Sequence, residues 1–254
     1  MNRRSNEDRM DKFQKLPFSV LVRKDKDLLG IRSEHALKSK SERRMAADWE
    51  YHSEIAAELF SNAMTNAGEH EPGSSYWSPG ITALAIDPLY APAILTVGSL
   101  EYMAGHIEEA MNLFMTLTEL PEDEDELNTI IDKAGDFLID NDDYENALAL
   151  YSAAEKAYPK DALYLIGSGY CLGKLGRYED SVEKHRCADS LEPNNYKHLN
   201  DFGYALLEAE RFDEAEQMLK KSISFAPEDY EFPRNNLNEL RERRKGKKAT
   251  HARS

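Results

Sequence analysis

Residues 162–195 read ALYLIGSGYCLGKLGRYEDSVEKHRCADSLEPNN, and residues 196–229 read YKHLNDFGYALLEAERFDEAEQMLKKSISFAPED. Set one above the other, these two stretches of 34 residues align without a gap. Gly169 matches Gly203 at the eighth place, Ser181 matches Ala215 at the twentieth, and Pro193 matches Pro227 at the thirty-second. The register extends upstream. Residues 128–161 put Gly135, Ala147 and Pro159 at the same places, and residues 91–124 put Gly98 and Ala110 there, without the closing proline. A fixed period of this length is the mark of a repeat array, in which each unit stacks on the next.

Each frame splits into two helical halves. In 162–195 the first helix is predicted from about Ala162 to Leu175 with Asp161 as its N-cap, and Gly176 supplies a left-handed turn. The second helix is predicted from Tyr178 to about Ser190, and Pro193 stops the chain from continuing it. Asn195 and Pro227 play the same parts in the next frame. Apolar residues recur at places 4, 7, 11, 17, 24 and 27, for example Ile131, Ala134, Leu138, Tyr144, Tyr151 and Ala154. Small residues at places 8 and 20 let the two helices approach closely, and the larger ones fill the space between them and the next unit. His185 stands at place 24, where Phe114 and Tyr151 stand in other frames, and is read as a core substitute.

On these residues the chain resembles the tetratricopeptide repeat family, and the resemblance covers residues 91–229. It implies an all-α fold, a right-handed solenoid of antiparallel helix pairs closed by a C-terminal capping helix. The repeats are expected at 91–127, 128–161, 162–195 and 196–229, the first ending in a short acidic insertion from roughly Asp125 to Leu127. Asp87-Pro88 marks the end of a degenerate helical pair at 45–90, with one helix from Glu42 to Asn66 and a second opening at Ser78-Pro79. Residues 230–245 are expected to form the capping helix, from Glu231 to about Arg244. They are followed by a basic tail at 246–254 and preceded, at the other end, by a basic arm at 1–44 with an apolar island from Leu16 to Val22.

Charge is segregated along the chain. The net charge is −15, yet residues 1–44 carry +6 and residues 241–254 carry another +6, which leaves −27 for residues 45–240. Such a body opposes nucleic acid as the main ligand, because phosphates would be repelled. No apolar run approaches the ~18 residues of a membrane-spanning helix. Met1-Asn2-Arg3-Arg4-Ser5 leads into polar residues rather than a secretory signal, so a cytoplasmic location is expected. Cys171 and Cys187 lack metal-site spacing and are read as reduced thiols in a buried role.

In the family that the chain resembles, the first helix of each repeat lines a concave groove that holds an extended peptide or a partner helix. Carried over place by place, the groove positions are Ser99 and Tyr102, then Asp132, Asp136 and Ile139. Next come Ile166, Tyr170 and Lys174, and last Lys197, Asn200, Tyr204 and Glu208. Tyr170 and Tyr204 suit binding, since a tyrosine offers a broad face and a hydroxyl at low entropic cost; the competing reading packs them on the adjacent helices. Asp132, Asp136 and Asp140 recur every four residues, either as a seat for a basic peptide or the chain's own tail, or as a solvated helix face. The family's clamp for a C-terminal carboxylate is not expected, because Asp132 and Asp136 would repel that ligand.

Other chemistries find no support. Asp140-Asn141-Asp142-Asp143 has Glu145 where a calcium loop needs glycine and Tyr151 where it needs glutamate. Glu69-His70-Glu71 reads as a polar loop, and no phosphate-binding, nucleotide-binding or nucleophile-elbow motif occurs. The basic run Arg241 to Lys248 is read either as a docking element for an acidic surface or as the frayed end of the capping helix. No cofactor, metal or catalytic residue is expected, so the chain is read as no enzyme. The resemblance implies an adaptor or scaffold that binds a basic or neutral protein segment. The alternatives are a chaperone for a secreted or assembly substrate, and a homo-oligomer formed through the basic arm.

Overall fold

In the computed structural model, the described residues are Gly80, Ala83, Leu84 and residues 89–120, 122 and 126–251, with side chains described as far as residue 246. The basic arm and nearly all of the degenerate pair at 45–90, including Ser78 and Pro79, lie outside them. Nine helices and no strands are found among the described residues: α1 Ala91–Met103, α2 Ile107–Leu117, α3 Leu127–Asp140, α4 Tyr144–Ala157, α5 Ala162–Lys174, α6 Tyr178–Leu191, α7 Tyr196–Glu208, α8 Phe212–Phe225 and α9 Phe232–His251. None of them is long and apolar enough to cross a membrane. The chain divides into two compact units, Met1–Ala134 and Gly135–Ser254, with the division falling inside α3.

In the first unit α1 packs on α2 over Ile94, Val97, Leu113, Phe114 and Leu117, all buried. Glu101 occupies an otherwise apolar place and is buried, and His106 answers it through Nδ1 at 2.7 Å from Oε2. Leu127, expected to close an acidic insertion, is instead the first residue of α3 and is buried. An apolar side chain at the edge of the core gains more from starting the helix than from extending a polar loop.

In the second unit α5 packs on α4 and α6, α7 on α5, α6 and α8, and α9 on α7 and α8. The turn between paired helices repeats itself. At place 15 the backbone is left-handed at Gly105, Asp142, Gly176 and Glu210, with φ of 86°, 58°, 73° and 59°. The next amide reaches back five residues to a helix carbonyl in each case: His106 to Glu101, Asp143 to Leu138, Arg177 to Leu172 and Arg211 to Leu206. This closes the orphaned carbonyls of the first helix and sets the second antiparallel to it. Asp161 caps α5 by accepting from the Leu163 amide, and Asn195 caps α7 by accepting from Lys197 and His198.

Place 8 against place 24 is the tight spot of every pair. A Cβ on Gly98 would lie 2.5 Å from Phe114, on Gly135 2.3 Å from Tyr151, on Gly169 2.8 Å from His185 and on Gly203 2.7 Å from Leu219. Place 20 is fully covered at Ala110, Ala147, Ser181 and Ala215. Ser181 is tolerated because its hydroxyl donates to the Gly169 carbonyl at 2.7 Å, and Ser222 at place 27 donates likewise to the Tyr196 carbonyl at 2.6 Å.

The capping helix differs from expectation in length. It runs to His251, through most of the stretch read as a basic tail, because Arg243 and Arg244 hold it to the acidic helices beneath. Arg243 pairs with Glu208 of α7 at 2.6 Å, and Arg244 pairs with Asp213 and Glu216 of α8 at 2.7 and 3.0 Å.

The tight spot gives a direct test. Tyr151 is walled in by Gly135 on one side and Gly167 on the other, where a Cβ would again fall 2.5 Å from the ring. With no direction in which to yield, the Gly135→Ala variant is expected to lose about 1–3 kcal/mol in urea unfolding. Gly173→Ala meets only the Ser181 hydroxyl at 3.5 Å and is expected to be neutral, or to gain up to about 1 kcal/mol from helix propensity.

Candidate functional site

The helix face nominated by the sequence is built in the second unit by α5 and α7, with the C-terminal part of α3 and the whole of α9. Capping fixes where each helix begins, and the glycine contacts fix how close its partner lies, so residues 34 apart present equivalent side chains. Tyr170 and Tyr204 are such a pair. They are 37% and 44% exposed, while Gly169 and Gly203 beside them are buried. Each ring is partly covered and partly open to solvent, and Tyr204 is also hydrogen-bonded to Glu208.

Around Tyr170 the surface is mixed in charge. Lys174 Nζ lies 5.3 Å from the Tyr170 ring centroid and 5.9 Å from that of Tyr144. The cation thus bridges an aromatic on α5 and one on α4. Asp136 on α3 is exposed, yet its carboxyl is raised above the usual range, first by desolvation and then by the charge of Asp140. Tyr144 donates its hydroxyl to Asp142 at 2.6 Å, and that bond leads the causes that push its phenol up to about 12. Ile139 and Ile166 are half-buried, and Lys197 is exposed.

Two nominated residues are engaged elsewhere. Asn200 is buried and accepts from Asn236 of α9 at 2.9 Å while donating to Asp201 at 3.1 Å. Glu208 is taken by Arg243, which also reaches Glu239. Helix α9 packs on α7 and α8 as α7 packs on α5 and α6, so it fills the place of a further first helix and consumes the last repeat's polar positions. Asn236 was not singled out from the sequence and Arg243 only as part of the basic run; their signal was a separation of 36 and 35 residues from their partners, close to the repeat period. Ser99, Tyr102 and Asp132 belong to the first unit, where Ser99 donates its hydroxyl to the Leu95 carbonyl at 2.9 Å.

The cysteines part company. Cys171 is buried, and burial, reinforced by Asp136, pushes its thiol up to about 12, which makes it inert. Cys187, expected to be buried, is exposed on the outer face of α6, since a helix that packs along one side leaves its far side to solvent. It borders a shallow depression with Leu148, Ser152, Leu165, Arg177 and Lys184, which includes none of the exposed tyrosines. No cluster of potential metal ligands is present among the described residues.

Residues 199–229 match the family model described as tetratricopeptide repeat. No curated relative matches the sequence. Among solved structures, YrrB, described as a tetratricopeptide-repeat protein with an unusual peptide-binding site, is 18% identical with a TM-score of 0.50, over 72% of this chain and 89% of that one. The MamA protein is 17% identical with a TM-score of 0.49, over 68% and 91% of the two chains. The second repeat domain of human RPAP3, solved with an HSP70 peptide, is 20% identical with a TM-score of 0.42, over 45% and 96%. The likeness to YrrB shows a shared fold.

One half-buried carboxyl of α7 can be read by titration. Desolvation raises the Asp201 carboxyl to about 6, with the Asn200 hydrogen bond opposing. A carboxyl raised in the fold destabilises it once ionised, so this contribution is unfavourable above about pH 6 and vanishes as pH falls below the unfolded value near 3.8. Asp201→Asn is therefore expected to be more stable than the parent at pH 7.5 by on the order of 1–2 kcal/mol, with the gap narrowing at pH 4.5 in parallel urea titrations.

Proposed function

We propose that this chain, an all-α array of tetratricopeptide-repeat-like fold with a repeat match at residues 199–229, is a protein-interaction module that takes a partner segment on the first-helix face of its second unit. The observation that carries the reading is the pair Tyr170 and Tyr204, exposed at equivalent places on successive first helices in an array that buries the residues beside them. Two broad aromatic faces repeated along a rigid scaffold match the repeat of an extended peptide or of one side of a helix. The peptide-binding site named for YrrB, which shares the fold, supports this class of ligand.

The electrostatics favour a basic or neutral segment. Asp136 and Asp140 stand exposed at one end of the face, where the Asp136 carboxyl is raised first by desolvation and then by the charge of Asp140. A partner lysine or arginine placed there would relieve both acids. At the other end Glu208 is already neutralised by Arg243, so the acidic selectivity lies on the α3 side. Tyr170 and Lys174 lie between. The role is one of binding, without chemistry of its own, and fits an adaptor or scaffold.

A pull-down from native extract, comparing the intact chain with Asp136→Lys/Tyr170→Ala, tests this. Both substitutions are at exposed positions and are expected to leave the melting temperature within a few degrees. The expected result is a partner held by the intact chain and lost, at least tenfold, from the double variant. Equal recovery by both proteins would place the binding surface elsewhere, and recovery of the chain alone would favour self-association.

A further inference from the structure

Between the pairs α5–α6 and α7–α8 the core contains two histidines in place of apolar residues. His185 on α6 and His198 on α7 are each 1% exposed, and their ring centroids lie 5.3 Å apart. Phe202 stacks beside both, at 6.0 and 6.2 Å, and Gly169 of α5 faces the His185 ring. Three of the four ring nitrogens, His185 Nδ1 and both of His198, are buried without a hydrogen-bond partner, as is the Ser168 hydroxyl on α5. A neutral imidazole tolerates such a place, but an imidazolium has two N–H groups and a charge to satisfy.

We propose that the His185–His198 contact is an acid-operated release between the α5–α6 and α7–α8 helix pairs, closed while both rings are neutral and opened when either is protonated. The surroundings supply no counter-charge to His185. Asp189 on α6 acts on His198 rather than His185, and it is already paired with Lys221 of α8 at 3.2 Å. On α7 the nearby carboxyl is Asp201, which is hydrogen-bonded to Asn200, and α5 presents Gly169 to the His185 ring. Burial drives the His185 ring down to about 3, and the neighbouring His198 lowers it further. His198 is also lowered, chiefly by burial and with help from Lys221, against the opposing pull of Asp189 and the His185 main chain.

The sign follows from linkage. A histidine lowered in the fold is neutral there but binds a proton near pH 6.5 once exposed, so stability is lost as pH falls below 6.5. With the His185 ring held at about 3 in the fold, its exposure multiplies the opening constant at pH 5.0 by about 30-fold relative to neutral pH, and His198 acts in the same direction. Tyr170 and Tyr204 sit on opposite sides of this junction, on α5 and α7. The junction claim stands without any assumption about what those tyrosines bind.

Hydrogen exchange of α7 backbone amides in the full chain, at pH 7.5 and 5.0 and corrected for intrinsic rates, measures the opening. His185→Phe restores the aromatic found at this place as Phe114 in the first frame and leaves Asp201 untouched, so the ratio of parent to variant isolates the histidine. That ratio is expected to rise by about 30-fold or more on going to pH 5.0. An unchanged ratio would overturn the proposal. Should the variant fail to fold, the ring-proton titration of the parent decides. His185 is expected to stay neutral to below pH 5 in the folded chain, and its titration near pH 6.5 would overturn the proposal equally.

Discussion

Among the described helix pairs, the packing depends on how closely two helices can be brought together at the eighth place of each repeat. Glycine there removes the Cβ that would otherwise collide with the side chain at place 24, at separations of 2.3 to 2.8 Å in all four pairs. The close approach lets one large side chain per pair, Phe114, Tyr151, His185 or Leu219, fill the space between helices completely. Dispersion and burial are then gained without voids, and the next pair finds a fixed surface to stack on. The turn at place 15 and the covered small residue at place 20 serve the same approach, one by reversing the chain and the other by thinning the opposite helix.

Much of this was legible in the sequence because it is written at a constant spacing. The frames, the caps Asp161 and Asn195, the turn at Gly176 and the role of His185 as core all follow from comparing places 34 apart. What the spacing hid was anything the repeats do differently from one another. Asp142 and Glu210 take left-handed backbone without being glycine, since the helix-closing bond to Leu138 or Leu206 holds them there. Gly167, outside the repeated set, closes the far side of Tyr151. Cys187 faces solvent because it sits on the far side of a second helix, and a lone cysteine announces no direction.

The candidate face was legible as a set of places but not as a set of free side chains. Tyr170, Tyr204, Lys197 and Asp136 stand exposed as the place numbers imply. Asn200 and Glu208 do not stand free, because a polar residue at the end of an array meets the capping helix instead of a ligand, through Asn236 and Arg243. The charge segregation acquires a concrete part in this. Basic residues near the C-terminus are spent on pairing with Glu208, Asp213 and Glu216, while Asp136 and Asp140 of α3 stand exposed. One end of the face is closed by the protein itself, and at the other end Asp136 and Asp140 are exposed.

The central claim is that the first-helix face is where a partner sits, and site-specific photo-crosslinking tests it most directly. A photoreactive phenylalanine analogue would be placed singly at Tyr170, at Tyr204 and at Lys220, which is exposed on the second helix of the last pair. The account predicts that the positions of Tyr170 and Tyr204 trap the same protein and that the position of Lys220 does not. Trapping confined to the Lys220 position would contradict it and move recognition to the second-helix side of the array.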